Sequence, residues 1–504
     1  MTLDAWIAGH ARFAPDKTAI AFAGETLSYR RLDALIRETA RVLIEEFGLQ
    51  SGDRIAYYGM NNPEVFVLVF AAAKLGLILV PLNWRLAVPE LRYIVEDCGP
   101  KVLFYDHHFA DTAPGLAGAQ AGCRAVPIFA AADDASLPDL RSRHATADDA
   151  RGPDSVQAVK GDPLLIVYTS GTTGKPKGAV LSQSAVLCNG QMSQHAYDMT
   201  SADTVLNVLP LFHVGGLNIQ PLPALLLGAT LVLHEKFEPD AAVAAIAAAG
   251  VTLINTVPTL LQAMIDSTAW AQTDLSSLRA ISIGSTDVPR PLIDAVHARG
   301  IPLIQIYGAT ETGPIAIYQR IEHARSTAGS IGRCGLLCSV RLVGDDGADA
   351  APGELGEIWI KGDNILDHYW RDSQASEQNI VDGWFKTGDI ARCDEAGDFW
   401  FADRIKHVII SGGENIYPAE LERVLRGHPG LAEAAVVGRA DEKWGMVPVV
   451  VAVKARETVT REDVLAAFDG EIARFKRPRD VVFVEALPRN ALGKVLVDAV
   501  RTLV

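Results

Sequence analysis

Short apolar runs rich in β-branched residues alternate with helical patterns along most of this chain, and the alternation limits the folds that it can form. A first series includes RIAYYG, PEVFVLVFAAAKLG, LILVPLN and KVLFYD. A second series begins with LLIVYTS at 164–170 and ends with PLIQIYG at 302–308. Strands that alternate with helices are typical of α/β proteins, in which loops at the carboxyl ends of the strands usually bind the ligand. We therefore expect an α/β fold with its chemistry at those loops.

The 504-residue chain is too long for one ordinary core, and its sequence changes character near residue 400. There FADRIKHVIISGGENIYP gives a polar junction, a short apolar run and a glycine pair. The part beyond it carries the pattern of a small α+β domain. We expect a domain boundary at this junction.

Charge and composition narrow the classes of partner. The formal net charge of −15 argues against general binding to nucleic acid or to an anionic membrane. The apolar segment VFVLVFAAAKLGLILV at 65–80 is interrupted by Lys74 and Gly76, which favours a buried helix followed by a strand over a membrane span. The amino-terminal residues lack the features of a secretory signal, and six scattered cysteines suit reduced thiols. These features predict a cytoplasmic protein without a transmembrane segment.

The segment YTSGTTGKPKG, residues 168–178, directly follows a buried strand pattern. Its glycines let backbone N–H groups approach an anion, its hydroxyls add donors and its lysines neutralise charge, so it suits a polyphosphate. It is not a Walker A loop, because Gly171 and Gly174 are too close together and Pro176 follows Lys175. A merely flexible loop would leave the two lysines around a rigid proline unexplained.

The same segment is very similar to the phosphate-binding signature of the adenylate-forming superfamily, which includes acyl-CoA synthetases, peptide-synthetase adenylation domains and beetle luciferases. Other motifs of that family follow in order: LPLFHVGG at 209–216, IYGATE at 306–311, GWFKTGDI at 383–390, DRIKHVIISGGENIYP at 403–418 and PRNALGK at 488–494. The resemblance covers essentially the whole chain. It implies a large, multi-layer amino-terminal domain over residues 1–402, a hinge at 403–406 and a small, mobile α+β carboxyl-terminal domain over 407–504.

The resemblance also assigns residues to ATP or AMP: Thr169, Ser170, Gly171, Thr172, Thr173, Gly174, Lys177, Gly284, Ser285, Tyr307, Gly308, Asp389 and Arg404. By resemblance Tyr307 lies against adenine, Thr310 lies near phosphate, and Asp389 and Arg404 contact the ribose. Glu311 would bind magnesium, which prefers carboxylate and phosphate oxygens. Taken alone, a glutamate at a helix start and an aspartate after a glycine are both ordinary local structure.

Three further residues receive roles from the resemblance. Lys494 would bridge the substrate carboxylate and the α-phosphate during the first half-reaction, although a surface lysine would be the favoured reading without its PRNALGK context. Lys406 occupies the hinge position, where an ordinary linker lysine would fit equally well. His213 resembles a position that gates the acyl pocket and steers the carboxylate, with a structural histidine as the alternative. The resemblance thus gives Lys494, Thr310, Glu311 and His213 as the catalytic residues.

A surface for coenzyme A is suggested by three segments: SGGEN at 411–415, DEKWG at 441–445 and RFKRPR at 474–479. Glycines can line a narrow tunnel for pantetheine, while aromatic and cationic groups suit the nucleotide. The residues concerned are Ser411, Gly412, Gly413, Glu414, Trp444, Phe475 and Arg477. A basic run is otherwise usually a solvated face.

The chain departs from the family pattern at three places. GSTDVP at 284–289 replaces a glycine-rich apolar loop, which adds Thr286 and Asp287 near the presumed acyl pocket. Cys334 replaces a common proline, and His407 replaces a common aspartate after the hinge. These changes remove no catalytic group, but they weaken any inference about the acid.

Together the motifs predict an AMP-forming acyl-CoA ligase that converts ATP, a carboxylic acid and CoA to acyl-CoA, AMP and pyrophosphate through an acyl-adenylate. The expected cofactors are ATP and Mg²⁺, with CoA as a substrate. VGGLNI and GPIAIY are largely aliphatic, so we expect a medium or long fatty acid first and an aryl or cinnamic-type acid second. A stand-alone enzyme that loads a carrier protein and a nucleotide-binding regulator without turnover are the alternatives. We expect small-molecule partners and no nucleic acid, and leave a homodimer open.

Overall fold

A computed structural model describes most of the chain: residues 2–128, 158–169, 176–285, 288–411, 414–442, 444–469, 471–472, 476–490 and 494–504. The internal contacts divide the chain into two compact units. The larger unit is Met1–Val340 with Ile360–Phe385, and the smaller unit is Arg341–Trp359 with Lys386–Val504.

The larger unit contains a sheet of nine strands among the described residues. In spatial order these strands are Arg333–Cys334, Ile317–Tyr318, Leu303–Tyr307, Ala280–Ile283, Leu253–Thr256, Thr204–Asn207, Thr230–Leu233, Thr18–Phe22 and Glu25–Ser28. The six central strands, from Leu303–Tyr307 to Thr18–Phe22, run parallel, and the outer strands are antiparallel to their neighbours. The carboxyl ends of the central strands therefore meet at one edge.

A second sheet of the larger unit has seven strands among the described residues. Their order is His368–Tyr369, Lys177–Ser182, Pro163–Thr169, Ile78–Pro81, Arg54–Tyr58, Val102–Tyr105 and Arg124–Pro127. Strand Pro163–Thr169 leads into the glycine-rich segment, and Lys177–Ser182 returns from it antiparallel. His368–Tyr369 pairs with Lys177–Ser182 and so brings a distant segment to the same edge.

Helix Pro63–Leu75 shows how local sequence sets the elements. The Asn62 side chain caps it by accepting a hydrogen bond from the Glu64 amide, and Pro63 occupies the first turn. Gly76 ends it in the left-handed conformation, with φ of 68°. Almost every side chain of this helix is buried in the main apolar core, and strand Ile78–Pro81 follows. The prediction of a buried helix followed by a strand at 65–80 is confirmed.

The other helices in the described part of the larger unit cover the sheets and bury their apolar sides in apolar cores. They are Asp4–Phe13, Tyr29–Glu45, Val88–Cys98, Ala113–Ala117, Gln183–Tyr197, Val214–Leu217, Pro221–Leu226, Pro239–Ala249, Pro258–Asp266, Thr268–Gln272, Arg290–Ala298 and Ser373–Asn379. Short 3₁₀ helices are His107–Phe109, Thr310–Thr312 and Ile321–His323. None of the helices in the described ranges combines the length and the apolar character that a membrane crossing needs.

The chain passes between the units within three strands, Cys338–Val343, Leu355–Gly362 and Trp384–Cys393. Ile380–Val381 pairs with the start of Trp384–Cys393 in the larger unit, and Phe399–Arg404 pairs antiparallel with its later part in the smaller unit.

The smaller unit has its own sheet of Glu414–Ile416, Ile409–Ser411, Gly445–Lys454, Leu431–Asp441 and Asp480–Val484 among the described residues. Helices Pro418–Leu425, Arg461–Ala466 and Val497–Arg501 accompany it, with a 3₁₀ helix at Ile405–His407. The described residues of this unit form two apolar cores. The α/β class, with a large unit and a small α+β unit, is confirmed, whereas the boundary at 402/403 and the hinge stay predictions.

Candidate active site

In the larger unit, Glu311 lies directly after the carboxyl end of a central strand. Strand Leu303–Tyr307 ends, Gly308 and Ala309 follow, and the 3₁₀ helix Thr310–Thr312 carries the carboxylate. The backbone at Glu311 is fixed because its carbonyl accepts a hydrogen bond of 2.8 Å from the Leu366 amide. Thr310 is buried beside it. The IYGATE motif therefore places its polar residues at a strand end, as the sequence predicts.

The Glu311 carboxylate lies near hydroxyl groups from two other parts of the chain. Tyr369 Oη donates to Glu311 Oε1 at 2.9 Å, and Thr169 Oγ1 lies 3.5 Å from the same oxygen. Burial raises the pKa of Tyr369, and the charge of Glu311 raises it further. Tyr369 thus remains a neutral donor that orients one carboxylate oxygen.

Lys177 lies beside this group and is held by two contacts. Its Nζ is 3.7 Å from Asp372 Oδ2 and 5.6 Å from the centre of the Tyr369 ring. Strand pairing sets Tyr369 opposite Ala179, two residues along from Lys177. Sequence reasoning missed Tyr369 and Asp372. The one signal for Tyr369 was an aromatic residue in the short HYW run, which has no motif of its own.

Two predicted glycines are required by close backbone contacts. A Cβ on Gly308 would lie 1.8 Å from the Pro314 carbonyl oxygen, and one on Gly284 would lie 2.5 Å from the Ile306 carbonyl oxygen. Ser285 follows in the left-handed conformation with φ of 74° and is exposed. Tyr307 is half-buried at its strand end. Gly284 and Gly308 thus carry no side chain directly after the carboxyl ends of their strands, where α/β proteins usually bind ligands.

His213 lies in a tight turn between Pro210 and helix Val214–Leu217. Its Nδ1 accepts a hydrogen bond of 3.1 Å from the Gly215 amide, so the ring caps the helix. The side chain is half-buried. His213 therefore has a structural role as a helix cap. Its predicted role in steering the carboxylate of the acid stays a proposal.

Several predicted phosphate contacts lie outside the described residues. These are Ser170, Gly171, Thr172, Thr173 and Gly174. The structure places only the two ends of the segment, Thr169 and Lys177, which pair across antiparallel strands.

In the smaller unit, Asp389 and Arg404 face each other across two antiparallel strands. Asp389 is buried, and its Oδ1 lies 2.9 Å from Arg404 Nε. The Asp389 amide also receives support, since it donates to Thr387 Oγ1 at 3.1 Å. The two residues that the resemblance assigns to the ribose are thus an ion pair.

Lys494 lies in a turn closed by Asn490. The Lys494 amide donates to Asn490 Oδ1 at 3.0 Å, and the Asn490 amide donates to the Lys494 carbonyl at 2.8 Å. The pKa of Lys494 is lowered to about 8, chiefly by burial and also by the charges of Arg404 and Lys406, while Asp389 opposes the shift. Lys494 therefore lies close to the Asp389–Arg404 pair.

His407 belongs to the same group of charges. Burial lowers the pKa of His407 to about 4, with further contributions from Lys406, Arg404 and Lys494. Its Nδ1 is 3.8 Å from Asp403 Oδ1. Asp403 is itself buried and accepts the amides of Arg404 and Ala419, although burial raises the pKa of its carboxyl. The departure at position 407 therefore places a neutral imidazole where the family has a carboxylate.

The predicted CoA residues are only partly brought together. Ser411 pairs with Glu414 across a hairpin and with Gly445, next to Trp444, across the neighbouring strand. Trp444 is 40% exposed. Arg477 pairs with Asp469 and donates to the Leu465 carbonyl at 3.2 Å. Gly412, Gly413 and Phe475, and the Glu414 side chain, lie outside the described part of the chain.

The residues around Glu311 fit a hard divalent cation. A single carboxylate with neighbouring hydroxyl oxygens leaves most coordination positions to phosphate and water, which is how magnesium usually binds with a nucleotide. Lys177, at the end of the glycine-rich segment, offers positive charge nearby. In the smaller unit, Lys494 and its neighbours Arg404 and Lys406 offer positive charge for an anionic substrate instead.

Comparison with known proteins agrees with these features. The sequence model of the AMP-binding enzyme family matches residues 7–370, and that of the AMP-binding enzyme C-terminal domain matches 420–494. The chain is 48% identical to an indoleacetate–CoA ligase of Aromatoleum aromaticum over 100% of this chain and 98% of the relative. It is 37% identical to a feruloyl-CoA synthase of Amycolatopsis, over 99% and 98% of the two chains.

Other relatives of this chain are named for different acids. The long-chain-fatty-acid–CoA ligase FadD13 of Mycobacterium tuberculosis is 36% identical over 94% of this chain and 92% of its own. The structure of the o-succinylbenzoate CoA synthetase MenE of Bacillus subtilis, in complex with ATP and a magnesium ion, superposes with a TM-score of 0.86. It is 30% identical and covers 98% of each chain. This chain belongs to the AMP-binding enzyme family and is an AMP-forming CoA ligase of the adenylate-forming superfamily.

Proposed function

We propose that this enzyme activates an aryl carboxylic acid, of the size and kind of indoleacetate, as its CoA thioester. The observation that carries the proposal is the 48% identity to an indoleacetate–CoA ligase over the full length of this chain. The feruloyl-CoA synthase, at 37% identity, is a second relative named for an aromatic acid. The predicted pocket segments are largely aliphatic, which suits a ring as well as an alkyl chain.

In the two half-reactions, the residues near Lys494 and those near Glu311 would have separate tasks. In the first step, a carboxylate oxygen of the acid attacks the α-phosphorus of ATP, and the bond to pyrophosphate breaks. Lys494, protonated below its pKa of about 8, would neutralise the charge that the acid and the α-phosphate bring together. In the second step the CoA thiol, having lost its proton, attacks the acyl carbon, and AMP leaves.

Magnesium, when bound with ATP, would neutralise phosphate charge, and Glu311 is the residue that would hold it. Tyr369 and Thr169 orient the Glu311 carboxylate by hydrogen bonding. Asp389, paired with Arg404, would accept the ribose hydroxyls, because an ionised carboxylate can accept two neighbouring donors. His213 would donate to the carboxylate of the acid through Nε2, since its Nδ1 accepts the Gly215 amide.

A fatty acid is the second candidate substrate. The relative FadD13 supports it at 36% identity, and the sequence patterns alone place it first. The two candidates differ in what the pocket must accommodate, namely a rigid ring or a flexible chain that loses more conformational freedom on binding.

A competition experiment separates these candidates. The enzyme is given ATP, Mg²⁺, CoA and an equimolar mixture of indoleacetate, ferulate, octanoate and palmitate, and each acyl-CoA is quantified by mass spectrometry. We expect the aryl thioesters to exceed the alkyl thioesters by about 10-fold or more, as one or two well-placed ring contacts would give. An excess of octanoyl- or palmitoyl-CoA would reverse the assignment. Adenylate without any thioester would point to a carrier protein in place of CoA.

A further inference from the structure

A group of polar side chains is buried beneath the LPLFHVGG turn of the larger unit. Tyr197 lies on helix Gln183–Tyr197, Asn255 on strand Leu253–Thr256 and Ser282 on strand Ala280–Ile283. Tyr197 and Ser282 are 0% exposed, and Asn255 is 5% exposed. Because buried polar groups are costly unless they are hydrogen-bonded, their contacts indicate what they hold in place.

These side chains form a directed series of hydrogen bonds. Tyr197 Oη donates to Ser282 Oγ at 2.8 Å, and Ser282 Oγ donates to Asn255 Oδ1 at 2.8 Å. Gln220 Nε2 lies 3.5 Å from the same Ser282 oxygen. Because Asn255 Oδ1 is the acceptor for Ser282, the Asn255 amide nitrogen is turned the other way, and it donates to the Gly215 carbonyl at 3.3 Å.

Gly215 in turn fixes the ring of His213. The Gly215 amide donates to His213 Nδ1 at 3.1 Å, and a Cβ on Gly215 would lie 3.2 Å from that nitrogen. The next residue is more tightly restricted, since a Cβ on Gly216 would lie 2.2 Å from the Pro210 carbonyl oxygen. A ring whose Nδ1 accepts a hydrogen bond carries its proton on Nε2, so the turn selects one tautomer of a neutral imidazole.

We propose that Asn255, oriented by Ser282 and Tyr197, is a positioning residue that fixes Gly215 and thereby aims the Nε2–H of His213 at the carboxylate of the acid. This inference rests on the proposed function, because it gives a reason for the buried polar series in terms of acid binding. Asn255 itself does not contact the substrate in this account. Because Asn255 would act through His213, its substitution should weaken binding of the acid and leave binding of ATP unchanged.

The test compares Asn255→Ala, His213→Ala and the double variant with the wild type, using the acid that the competition experiment ranks first. We expect Asn255→Ala to raise KM for the acid about 10-fold, as removal of a group that orients a binding residue commonly does, with KM for ATP unchanged. In the double variant the effect of Asn255→Ala should disappear, because His213 is no longer there to be positioned. Gln183→Ala is the matched control. It removes another buried amide, which binds the Ala73 carbonyl and the Leu3 amide, and it should leave both KM values unchanged.

Tyr197→Phe serves if Asn255→Ala does not fold. It removes one hydroxyl and keeps the ring, and it should raise KM for the acid by about 2-fold to 3-fold in the wild-type background and not in His213→Ala. Losses that multiply in the double variants, or an equal rise in both KM values, would overturn the inference and leave a purely structural role. A wild type that activates no acid would instead refute the proposed function, and the two failures are therefore distinguishable.

Discussion

Two groups of polar residues, one in each unit, suit ligands of opposite charge. The Glu311 group of the larger unit, Thr169, Glu311 and Tyr369, gathers oxygen atoms around one carboxylate. The Lys494 group of the smaller unit consists of Lys494 and its charged or titratable neighbours Asp389, Arg404, Lys406 and His407. The first suits a cation, and the second suits an anion.

In the Lys494 group, several cationic side chains lie close together. Lys494 and His407 both have lowered pKa values, caused by burial and then by neighbouring cations. Perturbed groups of this kind concentrate at functional sites. A bound anion would relieve the repulsion, so we interpret the Lys494 group as prepared for substrate and the Glu311 group as prepared for a metal–phosphate complex.

The largest expected effect tests the cationic group. Lys494→Ala should slow acid-dependent ATP–pyrophosphate exchange by about 100-fold to 1,000-fold, because it removes a charge that neutralises the transition state. Lys236→Ala is the control, since that lysine is exposed and pairs with the exposed Glu238. An exchange rate within a few-fold of wild type for Lys494→Ala would remove the main reason for calling the group catalytic.

The next effect tests the acidic group. Glu311→Gln should lower the exchange rate by about 100-fold at low magnesium, and excess magnesium should restore part of it, because the amide keeps the shape but not the charge. The magnesium dependence of the rate measures this. Glu322→Gln, at an exposed glutamate paired with Arg320, should leave the dependence unchanged. A Glu311→Gln enzyme with a normal magnesium requirement would contradict the assignment.

A smaller effect tests whether Tyr369 belongs to the acidic group. Tyr369→Phe removes the donor to Glu311 Oε1 and should weaken the apparent magnesium affinity by about 10-fold, as loss of an outer hydrogen bond to a metal ligand does. Tyr105→Phe, at another buried tyrosine of the same sheet, is the matched control. Equal effects of the two variants would show that the Tyr369 hydroxyl has no special relation to the metal.

The pH dependence of the reaction tests the Lys494 group, because the pKa of Lys494 is lowered to about 8. Lys494 is charged below its pKa of about 8, so kcat/KM for the acid should fall as the pH rises through that value. Lys494→Arg should abolish this alkaline limb, since a guanidinium keeps its charge. A limb that persists in Lys494→Arg belongs to another group.

The smallest effect concerns the departure at position 407. His407→Asp introduces a negative charge close to Lys494 and should raise the pKa of Lys494, which moves the alkaline limb upward by less than about one unit. His407→Asn, which stays neutral, should leave the limb where it is. An unchanged limb in His407→Asp would mean that position 407 does not influence Lys494, and a downward shift would contradict the predicted sign.

The sequence predicted the chemistry better than the contacts that support it. Glu311, Asp389, Arg404 and Lys494 belong to motifs whose order alone identifies the family, and the helix and strand at 65–80 follow from a cap, a proline and a glycine. Tyr369 could not be predicted, because it reaches Glu311 through strand pairing across 58 positions of the sequence.

The pKa of Lys494 and the identity of the acid could not be predicted from the motifs either. The lowered pKa of Lys494 arises from residues separated by up to about a hundred positions, which a motif does not encode. The series from Tyr197 to His213 joins two strands, a helix and a turn. The acid itself depends on pocket shape, so fatty and aryl acids could not be ranked from aliphatic segments.

The stoichiometry of the reaction tests directly whether this enzyme is an acid–CoA ligase. The wild-type enzyme is incubated with ATP, Mg²⁺, CoA and the aryl-acid and fatty-acid panel, and AMP, pyrophosphate and acyl-CoA are quantified together. We expect equal amounts of the three products, formed only with an acid and lost in Lys494→Ala. AMP and pyrophosphate without acyl-CoA, or no acid-dependent turnover of ATP at all, would contradict it.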